Sequence, residues 1–360
     1  MLQHREHDMR GVKNYHHYQG VHCGSAALRN VISHYGGLRL SEAMCFGLGA
    51  GINFTYVREP GASFYMVTGR GSYLEANFCD ALNIHMEVTS TSDDGAAWRH
   101  LRGCVERGEL VMIDTDMFEL PYMVQRLKLS GGLHFGGHKA LVVGYDATLG
   151  TVALADYAWK SPQQVSLSVL QAARGSKLGV SCPGNACFRF YFPDELPCIS
   201  YAIRIALNCF VNQMRRPYLH YNGLPAVIRF CRQVTKWNRI MGAEELQNNT
   251  GMAAFMLEKA GTGGGAFRNL YSRFLEESAE VFHSPLLRRA SGVYRDLATR
   301  WREVAALLAE AAACPSAGIY RDSGTAATRL LTEVAEKEAQ GVQLIECHMT
   351  QHATATAAQC

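Results

Sequence analysis

No stretch of this chain is apolar for the roughly 18 residues that a membrane-crossing helix requires. The opening residues, Met1 to Gly11, are polar and His-rich and lack the short apolar core of a secretory signal. Charge is also scarce. Only 19% of the 360 residues are charged and the net charge is +3, too small an excess to mark a nucleic-acid binder, and no basic–aromatic recognition motif accompanies it. Against a hydrophobic fraction of 48%, that composition describes a globular chain and excludes a disordered one. No internal repeat is visible. A soluble, cytoplasmic protein is the expectation, with neither membrane nor nucleic acid among its partners.

What is present in quantity is cysteine, twelve residues in all. They are scattered singly through apolar stretches of a long chain without an export signal, so reduced thiols are expected. One of them stands apart. In Gly20-Val21-His22-Cys23-Gly24-Ser25-Ala26-Ala27-Leu28 the cysteine opens a helical pattern, with Ala27, Leu28, Val31 and Ile32 at helical spacing and Gly36-Gly37 as the stop. A thiol there meets unpaired backbone N–H groups and the positive end of the helix dipole, and both favour the nucleophilic thiolate.

Downstream, a short helix from Glu42 to Phe46 runs into Gly47-Leu48-Gly49-Ala50-Gly51. That run follows a helix rather than a strand, so it reads as a tight backbone crossing and not a phosphate loop. Strands are expected at 52–57, 84–88, 110–114, 139–145, 151–156 and 188–192, and helices at 72–82, 96–106 and 167–173. After Pro193 strand signals cease and helices follow at about 200–214, 225–239, 243–260, 266–281, 285–312 and 325–339. These patterns predict an α+β domain over 1–195, a helical domain over 196–342 and a disordered tail over 343–360.

A nucleophilic cysteine needs a base and a group that orients the base. Gly136-Gly137-His138 leads into the first strand of a pair joined by a short turn, and Asp156 ends the second. Antiparallel neighbours place the start of one strand beside the end of the next, so Cys23, His138 and Asp156 form a candidate triad. The expected oxyanion and positioning candidates are Gln19, His17 and His22, with the Cys23 backbone N–H as a further donor. His134 is an additional pocket candidate. No metal set is apparent.

The order of these elements resembles the papain-like cysteine-peptidase fold, including peptidase domains that process bacteriocins. A closer similarity is to the butirosin biosynthesis protein H family. It rests on His22-Cys23, Leu28-Arg29-Asn30-Val31, Ser41-Glu42-Ala43-Met44-Cys45-Phe46-Gly47-Leu48-Gly49, His134-Phe135-Gly136-Gly137-His138 and Val142-Val143-Gly144-Tyr145-Asp146. In the helical half it rests on Gly261-Thr262-Gly263-Gly264-Gly265-Ala266-Phe267-Arg268. The resemblance implies acyl transfer: Cys23 takes an acyl group from the phosphopantetheine thioester of an acyl carrier protein and passes it to a small amine acceptor. It implies no bound cofactor, since phosphopantetheine arrives on the carrier. The papain pattern has a glutamine six residues before the cysteine, where this chain has His17. A cysteine peptidase or amidohydrolase and a non-catalytic binding module are the alternatives, and the oligomeric state is open, a homodimer included.

Between Leu196 and Ala243 there is no acidic residue, while Arg229, Arg232, Lys236 and Arg239 recur at offsets of three, seven and ten. On a continuous helix that spacing shares one face, a candidate dock for an acidic carrier protein, with a solvated basic face as the alternative. The Gly261–Gly265 loop is a candidate cradle for the pantetheine phosphate, with a plain helix-entry loop as the alternative.

Overall fold

The computed structural model describes residues 9–127, 134–179 and 181–357. The chain begins β1 (Met9–Gly11), α1 (Cys23–Tyr35), α2 (Glu42–Leu48), β2 (Ile52–Val57), β3 (Met66–Arg70), α3 (Leu74–Leu82), β4 (His85–Thr89) and α4 (Asp94–Glu106). It continues β5 (Val111–Thr115), α5 (Pro121–Leu127), β6 (His138–Asp146), β7 (Thr151–Ala155), β8 (Gln163–Ser166), α6 (Leu167–Gly175) and β9 (Cys187–Tyr191). Only helices follow: α7 (Ile199–Arg215), α8 (Gly223–Gln233), α9 (Trp237–Ile240), α10 (Ala243–Glu258), α11 (Arg268–Val281), α12 (Pro285–Ala313) and α13 (Thr325–Ala357).

The chain divides into two compact units, Met1–Ser41 with Asn83–Leu196, and Glu42–Leu82 with Pro197–Cys360. The single boundary expected near residue 195 is therefore one of several crossings. Residues 42–82 belong with the C-terminal helices, because their backbone is completed there. Gln213 Nε2 donates to the carbonyls of Ala50 and Ile52 at 2.7 and 2.6 Å, and the Tyr56 N–H to Tyr221 O at 3.0 Å. The second unit is consequently not all-α, since it holds the β2–β3 hairpin. In the glycine run, a Cβ on Gly47 would lie 2.0 Å from Phe274 and one on Gly49 2.5 Å from Leu74 O. Close packing, not ligand binding, accounts for those glycines.

The first unit is built on a seven-stranded antiparallel sheet, in the order β4-β9-β5-β6-β7-β8 with β1 added to β6. β6 is buried along its whole length. On one side it pairs with β5 over His138–Val142 and then with β1 over Gly144–Asp146, and on the other with β7. The β6–β7 turn is fixed by Asp146, whose Oδ1 accepts the N–H groups of Thr148 and Leu149 at 2.8 and 2.9 Å. An α+β first half and a helix-rich second half match the sequence patterns.

The tail expected to be disordered is helical, with α13 running on to Ala357. Leu331, Val334, Glu338, Val342, Ile345 and His348 are buried at three- and four-residue intervals, so the apolar stripe continues past Gly341. Gly341 is no stop: a Cβ there would stand 2.7 Å from the Tyr294 ring.

Candidate active site

Cys23 is the first residue of α1, and His22 is its N-cap. His22 Nδ1 accepts the Ser25 N–H at 3.2 Å and lies 3.0 Å from Ser25 Oγ, satisfying one of the orphan donors of the first turn. Ala26, Ala27, Leu28, Val31 and Ile32 are buried, which anchors the helix and holds the thiol at its end, 9% exposed.

His138 opens β6 opposite Thr115 of β5, whose Oγ1 donates to His138 O at 3.1 Å. The β6–β7 register pairs Leu141 with Ala155. One step further, Asp156 falls opposite Ala140, and His138 becomes its diagonal neighbour on the same face. The small side chain at 140 leaves the gap open, and His138 Nε2 donates to Asp156 Oδ2 at 2.7 Å. Both groups are within 2% of full burial.

Burial by itself would raise the Cys23 thiol. The interaction with His22 and hydrogen bonds with His138 and His22 outweigh it, holding the thiol well below its ordinary value. For His138 burial would favour the neutral ring, but the Asp156 carboxylate, followed by Cys23, raises it to about 10. Of the two imidazoles, His138 is paired with a carboxylate, whereas His22 Nδ1 is taken up by the Ser25 N–H. Both shifts favour the thiolate–imidazolium form of the pair. With Nε2 on Asp156, His138 has Nδ1 left for the sulfur.

The loop before Cys23 is laced to the loop after Asp156. The carbonyls of Tyr157, Ala158 and Trp159 accept in turn from Gly20 N (2.7 Å), Gln19 Nε2 (2.9 Å) and His17 Nε2 (2.8 Å). The same loop is pinned to α1 by Asn30, which accepts from Tyr18 N at 2.8 Å and donates to Tyr18 O at 3.0 Å. His17 is thereby removed as an oxyanion donor, since its Nδ1 is also engaged, by Tyr15 O–H at 3.1 Å. Gln19 keeps a second amide hydrogen, and the Cys23 N–H stands at the helix mouth.

His134 serves a different carboxylate. Asp116 Oδ2 accepts His134 Nδ1 at 2.6 Å and Ser176 Oγ at 2.7 Å, while Oδ1 accepts the N–H groups of Phe118 and Phe135, each at 3.1 Å. Asp116, Glu119 and His134 lie close enough together to suggest a metal set. Four donors on Asp116 instead account for its lone pairs, and the cluster reads as a clamp on the segment leading to His138. Two residues with no role expected from the sequence belong to the site's support, Asn30, which the sequence shows only within a family motif, and Tyr122. The phenol of Tyr122 donates to Asp156 Oδ2 at 3.0 Å. No motif announces Tyr122.

In the second unit the expected basic face is interrupted. α8 ends at Gln233 and a 3-10 turn, Val234–Lys236, precedes α9. Arg229 is committed internally, donating to Tyr56 O at 2.7 Å with its guanidinium over the Tyr56 ring. Arg232, Lys236 and Arg239 remain exposed. The Gly261–Gly265 loop has its own acceptors for two of its donors: Gly265 N–H meets Glu258 Oε2 at 2.8 Å and Gly264 N–H meets Thr262 Oγ1 at 2.9 Å. A carboxylate already faces the loop, which argues against a phosphate there.

No curated protein matches this chain. Residues 168–345 match the family described as Domain of unknown function (DUF4872). Residues 22–157 match the family described as Butirosin biosynthesis protein H, N-terminal, a span that opens one residue before Cys23 and closes one after Asp156. With both regions in this order, the chain belongs to the butirosin biosynthesis protein H family, a family of antibiotic biosynthesis.

Proposed function

We propose that this protein is an acyltransferase that moves an acyl group from a carrier-protein thioester through Cys23 to an amine. The observation that carries the reading is the Cys23–His138–Asp156 arrangement, with a thiol at a helix mouth whose ionisation its neighbours favour and an imidazole held by a buried carboxylate. The thiolate attacks the thioester carbonyl, and the Cys23 N–H faces the oxyanion. Collapse breaks the carrier C–S bond, and the leaving thiolate takes the His138 proton. An amine then attacks the acyl-enzyme, neutral His138 removes its proton, and Cys23 leaves as thiolate. The cycle ends with the pair as it began and an amide formed. The first step exchanges one thioester for another at little cost, and the second is driven by the amide. Family membership supports a biosynthetic role in preference to peptide cleavage. Free cysteines throughout the described residues fit a reducing cytoplasm, and no described helix is long and apolar enough to cross a membrane.

The test is intact-mass measurement after incubation with acyl-loaded carrier protein, followed by an amine chase. An adduct absent in Cys23→Ala and discharged as amide is expected. Discharge as free acid, indifferent to amine, identifies a hydrolase, and no adduct with any acyl thioester leaves a binding module.

The carrier's dock, on this reading, is the exposed run of Arg232, Lys236 and Arg239 beside exposed Ile228 and Ile240. Acidic partners are steered by such surfaces. Reversing Arg232 and Lys236 together should raise KM for the carrier-bound donor several-fold and leave a small thioester mimic unaffected. An equal rise for both donors would remove this surface from the docking role.

A further inference from the structure

The carboxylate that orients His138 is itself unevenly served. Asp156 Oδ2 accepts two hydrogen bonds, from His138 Nε2 at 2.7 Å and from Tyr122 O–H at 3.0 Å. Oδ1 is buried and, among the described residues, has no hydrogen-bond partner. The Asp156 side chain is fully buried, so no solvent shell compensates for a missing donor. Among the described residues, the phenol is the one group besides His138 that fixes which oxygen faces the imidazole.

Tyr122 is firmly placed for this. It sits in the first turn of α5, and its ring packs edge-on against Trp159 at 4.8 Å. Trp159 is held by His17 through its carbonyl and lies under the Arg126 guanidinium. The groups facing the pair are Cys23 and His22 from the helix mouth, Tyr122 from α5, Thr115 from β5, and Tyr157, whose ring stands 6.0 Å from that of His138. Among the described residues, the donor to the carboxylate besides His138 is Tyr122.

We propose that Tyr122 is a positioning residue that locks the Asp156 carboxylate in register with His138 and moderates the charge it presents to the imidazole. The proposal rests on the acyl-enzyme reading for its functional consequence. An O–H donated to Oδ2 drains negative charge from the oxygen that faces His138 Nε2–H. Without it, Asp156 pulls harder on the imidazolium and can turn about its Cβ–Cγ bond. His138 then holds its proton to higher pH and protonates the leaving thiol less readily, with a less well-defined geometry. Burial and the Asp156 charge keep the phenol itself protonated well above the usual tyrosine range.

The test is a titration of His138 followed by 15N-histidine NMR in the full chain, compared between wild type, Tyr122→Phe and a protein with 3-fluorotyrosine at residue 122. Phenylalanine keeps the ring on Trp159 and removes only the O–H. Its His138 midpoint should move to higher pH, and single-turnover acylation of Cys23 should slow roughly tenfold, about 1.4 kcal/mol of barrier. Fluorotyrosine, a stronger donor, should move the midpoint the other way. Because the titration needs no acyl donor, its outcome is separate from the adduct experiment. Midpoints unmoved in both variants would overturn the role of Tyr122 even if Cys23 is acylated. Shifted midpoints with no acylation in wild type would overturn the acyl-enzyme reading and with it the functional half of the proposal.

Discussion

Cys23 is unremarkable as a residue until its partners are counted. Burial argues for an inert thiol, and the groups around it reverse that, because His22 and the Asp156-bound His138 together favour the thiolate more than desolvation penalises it. The pH dependence follows with its sign. Activity should fall on the acid side as Cys23 protonates, below the range of an ordinary thiol. On the basic side it should fall as His138 loses its proton near 10. Single-turnover acylation against pH measures both limbs, and an acid limb at ordinary thiol values would show that no ion pair forms. Asp156→Asn keeps the shape and removes the charge, so kcat should drop by a factor of about 100 or more while KM changes little. Sequence made these three residues legible because each sits at the end of a regular element. Tyr122 was not legible, because nothing near it in the chain says that its phenol reaches a residue 34 positions on.

At the scale of elements, the site depends on two loops held by side chains rather than by ladders. Asn30, buried on α1, supplies both bonds to Tyr18. Asn30→Ala would leave the Tyr18 N–H and C=O without those bonds, costing about 2 kcal/mol and loosening the loop that carries Gln19 and Gly20. Thermal melting should show a drop of several degrees with some loss of kcat. An unchanged melt would mean the loop is held without it. The approach to His138 is equally constrained. A Cβ on Gly136 would lie 2.3 Å from Ser181 O and 2.4 Å from Pro183. Gly136→Ala should therefore displace His138 and lower kcat well beyond its effect on stability. The helix and strand periods forecast α1, β6 and β7 closely. They could not forecast that His17 and Gln19 are spent on Trp159 and Ala158, because a side chain's choice of acceptor is made by whichever loop arrives beside it.

For the whole molecule, the second unit is held by a buried ion pair, Arg268 Nε to Glu338 Oε1 at 2.7 Å, both side chains fully enclosed. Trp301 Nε1 adds a donor to Glu338 at 2.8 Å, and Arg268 donates to Gly69 O at 3.0 Å, fastening the 42–82 segment to the helices. Glu338→Ala leaves a buried guanidinium without its carboxylate and should cost about 3–5 kcal/mol, measurable by denaturant unfolding. A fragment ending at residue 196 carries 42–82 without its partners and exposes Phe54 and Tyr56, which are buried in the intact chain. It should aggregate or lack a near-UV circular dichroism spectrum, and a well-folded fragment would show that 42–82 needs no helical partner.

The sequence by itself determined what depends on neighbours: the helix that begins at Cys23, the hairpin that sets His138 beside Asp156, and the change of texture near Pro193. It misjudged the tail because Ala/Thr-rich composition hid an apolar stripe that only a facing helix makes worth burying. Tertiary structure decided the rest. It assigned 42–82 to the helical unit, took His17 and Arg229 out of the roles their spacing suggested, and put a phenol on the triad carboxylate. The physical reason is common to all four. A hydrogen bond or buried surface stabilises only when its partner is present, and those partners lie far along the chain, where local periodicity carries no information.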